Sequence, residues 1–140
     1  MIYLPDVNVW VALASARHAH NKAAAAWMRT VQRDQVAFCR ITELGLLRLL
    51  MNVHVMGIDV RDAIGAWTLY DTIRGDVRVT FLGEGAGMSQ SWRGVRGQLS
   101  GGTNALTDAY LAVFAAHVNA TVVTFDRGFK SISGCTVLIL

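Results

Sequence analysis

The sequence predicts an α/β fold in which a mainly parallel sheet is flanked by helices on both faces. Three observations carry that expectation. Short, largely apolar segments, residues 2–5 and 121–125 foremost, alternate with longer segments whose apolar side chains recur at helical spacing. Strands that are apolar along their whole length, rather than at every second residue, belong in sheets covered on both sides, which are characteristically parallel. The 140 residues contain one proline and no repeat, low-complexity tract or linker, so residues 1–140 read as a single domain.

Each element has its own signal. Residues 2–5 make a short buried strand, and Pro5, which has no N–H to donate, suits its last position. Residues 7–14 start a helix with Asp6 or Asn8 near its beginning. Residues 21–33 give a second helix with Ala24, Trp27, Met28 and Val31 on one stripe. Residues 36–39 form a short strand. Thr42 is the expected N-cap of a helix whose apolar face is Leu46, Leu49, Leu50 and Val53. Asp59 is expected to cap a further helix that runs through Arg74 and stops at Gly75. Residues 77–82 form the third strand. Residues 85–98 are glycine-rich for a helix but carry Met88, Trp92 and Val95 at helical spacing, and residues 100–103 read as a loop. Residues 104–120 are the clearest helix, with Leu111, Phe114, Ala115 and Val118 on one face. Strands at 121–125 and 136–139 complete a five-stranded sheet.

Composition narrows the function classes. Apolar residues account for 53% and charged residues for 16%, as in a packed globule rather than a disordered tail. The net charge of +3 is compatible with a nucleic-acid partner without itself arguing for one, and the arginines are scattered. No apolar run reaches the roughly 20 residues of a membrane span. The opening segment lacks the basic region and cleavage pattern of a signal peptide. A cytoplasmic protein without a membrane role is therefore expected. Cys39 and Cys135 show neither metal-ligand nor redox spacing, which suits reduced thiols. His18, His20, His54 and His117 do not form a zinc pattern. Among the tryptophans, Trp27 and Trp92 fall on helical apolar stripes, which favours packing over base stacking.

The chemistry is carried by four acids. Asp6 closes the first strand segment and Asp126 the fourth, while Glu43 and Asp108 are expected in the first turns of apolar helices. In a parallel sheet, sites gather at the carboxyl ends of strands, and helices begin at that same edge. The four can therefore meet although none is adjacent to another in sequence. Clustered, half-buried carboxylates repel and are poorly solvated, so a divalent cation is the expected compensation, and phosphate chemistry the expected use. Taken singly, Asp6 also reads as a helix cap, Asp108 and Glu43 as first-turn acids, and Asp126 as a turn residue or partner of Arg127.

Four segments carry a resemblance. They are Leu4-Pro5-Asp6-Val7-Asn8-Val9-Trp10-Val11-Ala12-Leu13, Cys39-Arg40-Ile41-Thr42-Glu43-Leu44-Gly45-Leu46-Leu47-Arg48-Leu49-Leu50, Thr107-Asp108-Ala109-Tyr110-Leu111-Ala112 and Thr124-Phe125-Asp126-Arg127-Gly128-Phe129. In this order they resemble the motifs of PIN-domain ribonucleases of the VapC toxin family. The resemblance implies a PIN-like fold with the first and fourth strands adjacent and the second and third outward on one side. It also implies Mg²⁺ or Mn²⁺, an RNA substrate, a homodimer, and a VapB-type antitoxin that blocks the site. The apolar residues Trp27, 46–50 and Trp67 are compatible with a dimer contact.

The expected roles follow from phosphodiester hydrolysis. Asp6 and Asp108 are the main metal ligands, and Asp126 completes the shell directly or through water. Glu43 binds a second ion or orients the attacking water. Asn8 and Thr124 hydrogen-bond the acids, and Arg40, Arg48 and Arg127 either contact RNA phosphates or pair with a carboxylate. Two alternatives stay open: a haloacid dehalogenase-like phosphatase, and a PIN-like module that binds RNA or protein without catalysis. The first expects a second acid where Asn8 stands. The second expects poor binding of Mn²⁺.

Overall fold

Five parallel strands assemble in the computed structural model, which describes residues 1–95, 103–131 and 134–140. They are β1 (Ile2–Pro5), β2 (Val36–Phe38), β3 (Val79–Phe81), β4 (Ala120–Thr124) and β5 (Thr136–Ile139), arranged in the order β3-β2-β1-β4-β5. The chain moves from β1 outward to β2 and β3, then returns to the other side of β1 for β4 and β5. The expected adjacency of first and fourth strands therefore holds, with Pro5 opposite Val123.

Alternation along each strand divides the core into two layers. Tyr3, Val36, Phe38 and Val123 face one side, with helices α1 (Val7–Ala14), α2 (Asn21–Met28), α3 (Arg40–Leu50) and α5 (Ala63–Arg74). Leu4, Ala37 and Val122 face the other, with α6 (Met88–Gly94) and α7 (Thr103–His117). Burial on both faces is why these strands are apolar throughout. The small helix α4 (Val53–Met56) and a 3-10 turn at Gly57–Asp59 link α3 to α5.

Several boundaries differ from expectation for local reasons. The 21–33 helix stops at Met28, where Thr30 returns both its N–H and its hydroxyl to the Trp27 carbonyl. Thr42 is not the N-cap of α3. Cys39 is, and the Thr42 hydroxyl accepts the Cys39 N–H at 3.0 Å from the third helical position. Val53 leaves the α3 face, because the chain turns at Met51 and Asn52 caps α4. Asp62, accepting from Gly65 N at 2.7 Å, caps α5 in place of Asp59. The third strand is limited to 79–81, and the 85–98 helix is seen over 88–94, with residues 96–98 outside the described residues. Of the expected 100–103 loop, 100–102 also lie outside them, and Thr103 already belongs to α7.

The apolar surface differs too. Trp27, Leu46, Leu47 and Leu50 are buried in the core. Exposed apolar residues instead include Met51, Val53, Val55, Ile58, Val60 and Ile64, together with Trp67. Among the described residues no single helix is long and apolar enough to cross a membrane.

Candidate active site

Reversal of strand order between β1 and β4 opens a crevice at the carboxyl edge of the sheet, where ligands bind in open α/β folds. A cleft of about 630 Å³ lies there, lined by residues that include Asp6, Asn8, Asp108 and Asp126.

Asp6 is placed by both flanking elements. Its N–H donates to Val123 O at 2.9 Å, continuing the pairing of β1 with β4, and its Oδ1 accepts Val9 N–H at 2.9 Å as the N-cap of α1. The other oxygen, Oδ2, accepts from the fully buried Thr124 hydroxyl. Thr124 Oγ1 in turn accepts the Asp126 N–H at 3.0 Å. One hydroxyl thus fixes the Asp6 carboxylate and the backbone of Asp126. Asp126 is exposed, and its Oδ1 accepts Gly128 N–H at 2.7 Å as the 3-10 turn Arg127–Ser131 begins. A Cβ at position 128 would sit 3.0 Å from that oxygen, so the tight turn suits glycine. Asp108 lies in the second turn of α7, not the first, because the helix already begins at Thr103.

These three acids feel one another. Burial is the main cause raising the Asp6 pKa. Hydrogen bonds from Thr124, Val9 and Asn8 oppose it, and the negative charge of Asp126 adds to it. The pKa of Asp108 is raised by burial first, then by the charges of Asp6 and Asp126. Among the described residues no Lys or Arg forms an ion pair with any of the three. The three carboxylates are not neutralised by an ion pair, and a divalent cation fits them. Among the described residues no three His, Cys, Asp or Glu side chains come together closely enough to hold a metal ion between them. An ion here would keep several waters, as Mg²⁺ does at sites built from few carboxylates.

Glu43 does not join them. The α3 residues lining the cleft are Ile41, Thr42, Leu44, Gly45, Arg48 and Leu49, whereas Glu43 is buried on the other side with Leu46, Leu47 and Leu50. Helical spacing alone separates position 43 from the 41-45-48 face. Its carboxylate instead pairs with Arg40, and its charge adds to burial in raising the pKa of the Tyr70 hydroxyl on α5. Of the four acids expected to meet, Asp6, Asp108 and Asp126 line the cleft and Glu43 does not. Arg40 pairs with Glu43 and covers the Phe81 ring, 4.9 Å from its centroid. Asn8 is exposed on the cleft, and its backbone N–H rather than its side chain supports Asp6. Arg127 is exposed and does not line the cleft, whereas Arg48 does. Sequence reasoning missed Tyr70, whose only signal was its place on the inner stripe of α5 with Ala66.

The PIN domain family model matches residues 3–134. Ribonuclease VapC41 of Mycobacterium tuberculosis is 35% identical, over 98% of this chain and 97% of its own length. Ribonuclease VapC29 of the same organism is 29% identical, over 100% of this chain and 97% of its own. Among solved structures, VapBC2 from Rickettsia felis bound to a DNA fragment from the complex's promoter superposes with a TM-score of 0.71. It is 18% identical and covers 100% of this chain and 99% of its own. Mycobacterium tuberculosis VapC20, a Sarcin-Ricin loop cleaving toxin, gives 0.67 at 19% identity, covering 94% of this chain and 95% of its own.

Proposed function

This chain belongs to the PIN-domain family, alongside the VapC ribonucleases, and on that premise we propose that it is a divalent-metal-dependent endoribonuclease, the toxin of a toxin–antitoxin pair. The observation that carries the reading is the set of three mutually repelling carboxylates, Asp6, Asp108 and Asp126, around one cleft at the strand-order reversal. The phosphatase alternative, which rested on Asp6 and Asn8 alone, has no support in the family match.

Asp6 and Asp108 are assigned as the principal ligands of Mg²⁺ or Mn²⁺, with Asp126 completing the shell directly or through water. The bound ion would supply charge neutralisation at the scissile phosphate and a more acidic water. The protein contributes orientation. Thr124 and the Val9 amide fix the Asp6 carboxylate and partly offset the cost of burying its charge, so its lone pairs are aimed before substrate arrives. Asn8, on the cleft wall beside Asp6, is placed to hydrogen-bond the RNA strand or a water. Glu43 acts at one remove, tethering Arg40 near the start of α3.

The partner is a VapB-type antitoxin, as in the VapBC complexes that share this fold. The exposed apolar residues between Met51 and Trp67 are assigned to a homodimer contact, since apolar side chains concentrated on the surface favour association. We place the protein in the cytoplasm with its RNA substrate. The test is incubation of the purified, antitoxin-free protein with total RNA and Mg²⁺, beside EDTA and Asp108→Asn controls. Discrete fragments lost in both controls are expected. Intact RNA with either Mg²⁺ or Mn²⁺ would overturn the reading.

A further inference from the structure

The active-site cleft is lined both by the three carboxylates and by residues of α3, among them Ile41, Leu44, Arg48 and Leu49. Arg48 is the only basic side chain among the described residues lining the cleft. It is exposed, and among the described residues no carboxylate oxygen comes within 4.0 Å of its nitrogens. Arg40 is committed to Glu43, and Arg78 to Asp76 and the Met28 carbonyl.

A guanidinium that shares a cleft with three acids, yet pairs with none, leaves room between opposite charges. An anion seated against the acids' cation can fill that gap and reach Arg48 with two parallel N–H donors. The flanking leucines and isoleucine supply an apolar surface for a ribose or base edge, and Leu44 is 63% exposed without a partner in the core.

We propose that Arg48 is a substrate-binding residue that grips a backbone phosphate of single-stranded RNA from α3, in the cleft that the three carboxylates also line. The proposal rests on the ribonuclease reading and adds the residue that holds the strand across the cleft. Arg48 takes no part in binding the metal. It sets affinity and the path of the RNA, in a sequence-independent way.

The test compares binding of a fluorescein-labelled, random-sequence single-stranded RNA by anisotropy as salt is raised. Asp108→Asn protein is used to prevent cleavage, with and without Arg48→Gln. Removal of Arg48 should weaken binding about tenfold at low salt and lower the slope of log affinity against log salt by about 0.7, the value for one phosphate contact on a single strand. Arg48→Lys should restore most of the slope, whereas Arg93→Gln, an exposed change on α6, should leave it unaltered. In the otherwise wild-type chain, Arg48→Gln should leave Mn²⁺ affinity unchanged. An Arg48→Gln slope equal to that of Arg93→Gln, or a parallel loss of Mn²⁺ affinity, would overturn the assignment. If total RNA is still cut by the wild-type protein, that outcome overturns Arg48 alone; if it is not, the ribonuclease reading itself has failed.

Discussion

Thr124 donates its hydroxyl proton to Asp6 across the boundary between β4 and β1, 118 residues apart in sequence. The same oxygen receives the N–H of Asp126. Thr124→Val keeps the shape of this fully buried side chain but removes both bonds. Because such supporting contacts are typically worth 10- to 100-fold in metal affinity or activity, the variant should lose roughly that much Mn²⁺ affinity and cleavage rate. Thr124→Ser should retain most of both. Calorimetric titration with Mn²⁺ checks it, and an unchanged Thr124→Val would contradict the role.

Asp108 carries an opposed cost in stability. Burial and the charges of Asp6 and Asp126 raise its pKa, so the folded protein binds its proton more tightly than the unfolded chain does. Stability from this group is therefore present at acid pH and is lost as pH rises through the raised pKa. Asp108→Asn should raise the melting temperature of the metal-free protein at neutral pH, by an amount that vanishes toward the ordinary carboxylate pKa. It should also lower cleavage by at least about 100-fold, through loss of transition-state charge stabilisation. A melting temperature lowered equally at all pH values would contradict the repulsion.

Asp76 has the opposite sign. Its hydrogen bonds with Arg78 are the main cause lowering its pKa to about 2. The stability it contributes is fully present above pH 4 and is lost as pH falls toward 2. Asp76→Asn should flatten the acid limb of the stability profile between those values, measured by urea unfolding, without affecting cleavage at neutral pH.

Gly45 brings α3 against α1. A Cβ there would meet Val7 Cγ2 at 2.5 Å, so Gly45→Ala must displace Val7 beside Asp6. Overpacking of this kind costs about 1–3 kcal/mol, visible as a lower urea midpoint. A midpoint at or above the wild-type value would contradict the close packing.

Much of this was legible in the sequence because it is local. Apolar strands, helical stripes and the strand-end positions of Asp6 and Asp126 require only short windows. Asp6, Asp108 and Asp126 could be grouped because a parallel sheet sends its strand ends and helix starts to one edge. Glu43 misled because first-turn placement fixes the edge but not the direction around the helix axis. That direction depends on where α3 begins, and Cys39 rather than Thr42 caps it. Tyr70 and the apolar face near Ile58 and Ile64 were hidden for a different reason: the chain breaks at Asn52 and restarts at Asp62, and those breaks decide which residues turn outward.

The division of labour among the acids is tested most directly by Mn²⁺ titration of the wild-type protein and of four single variants, Asp6→Asn, Asp108→Asn, Asp126→Asn and Glu43→Gln. The three cleft variants should each weaken binding, with Asp6→Asn and Asp108→Asn the most severe, while Glu43→Gln binds as the wild type does. Loss of Mn²⁺ binding in Glu43→Gln equal to that in Asp108→Asn, or no Mn²⁺ binding by the wild-type protein, would contradict a cation site built from three carboxylates.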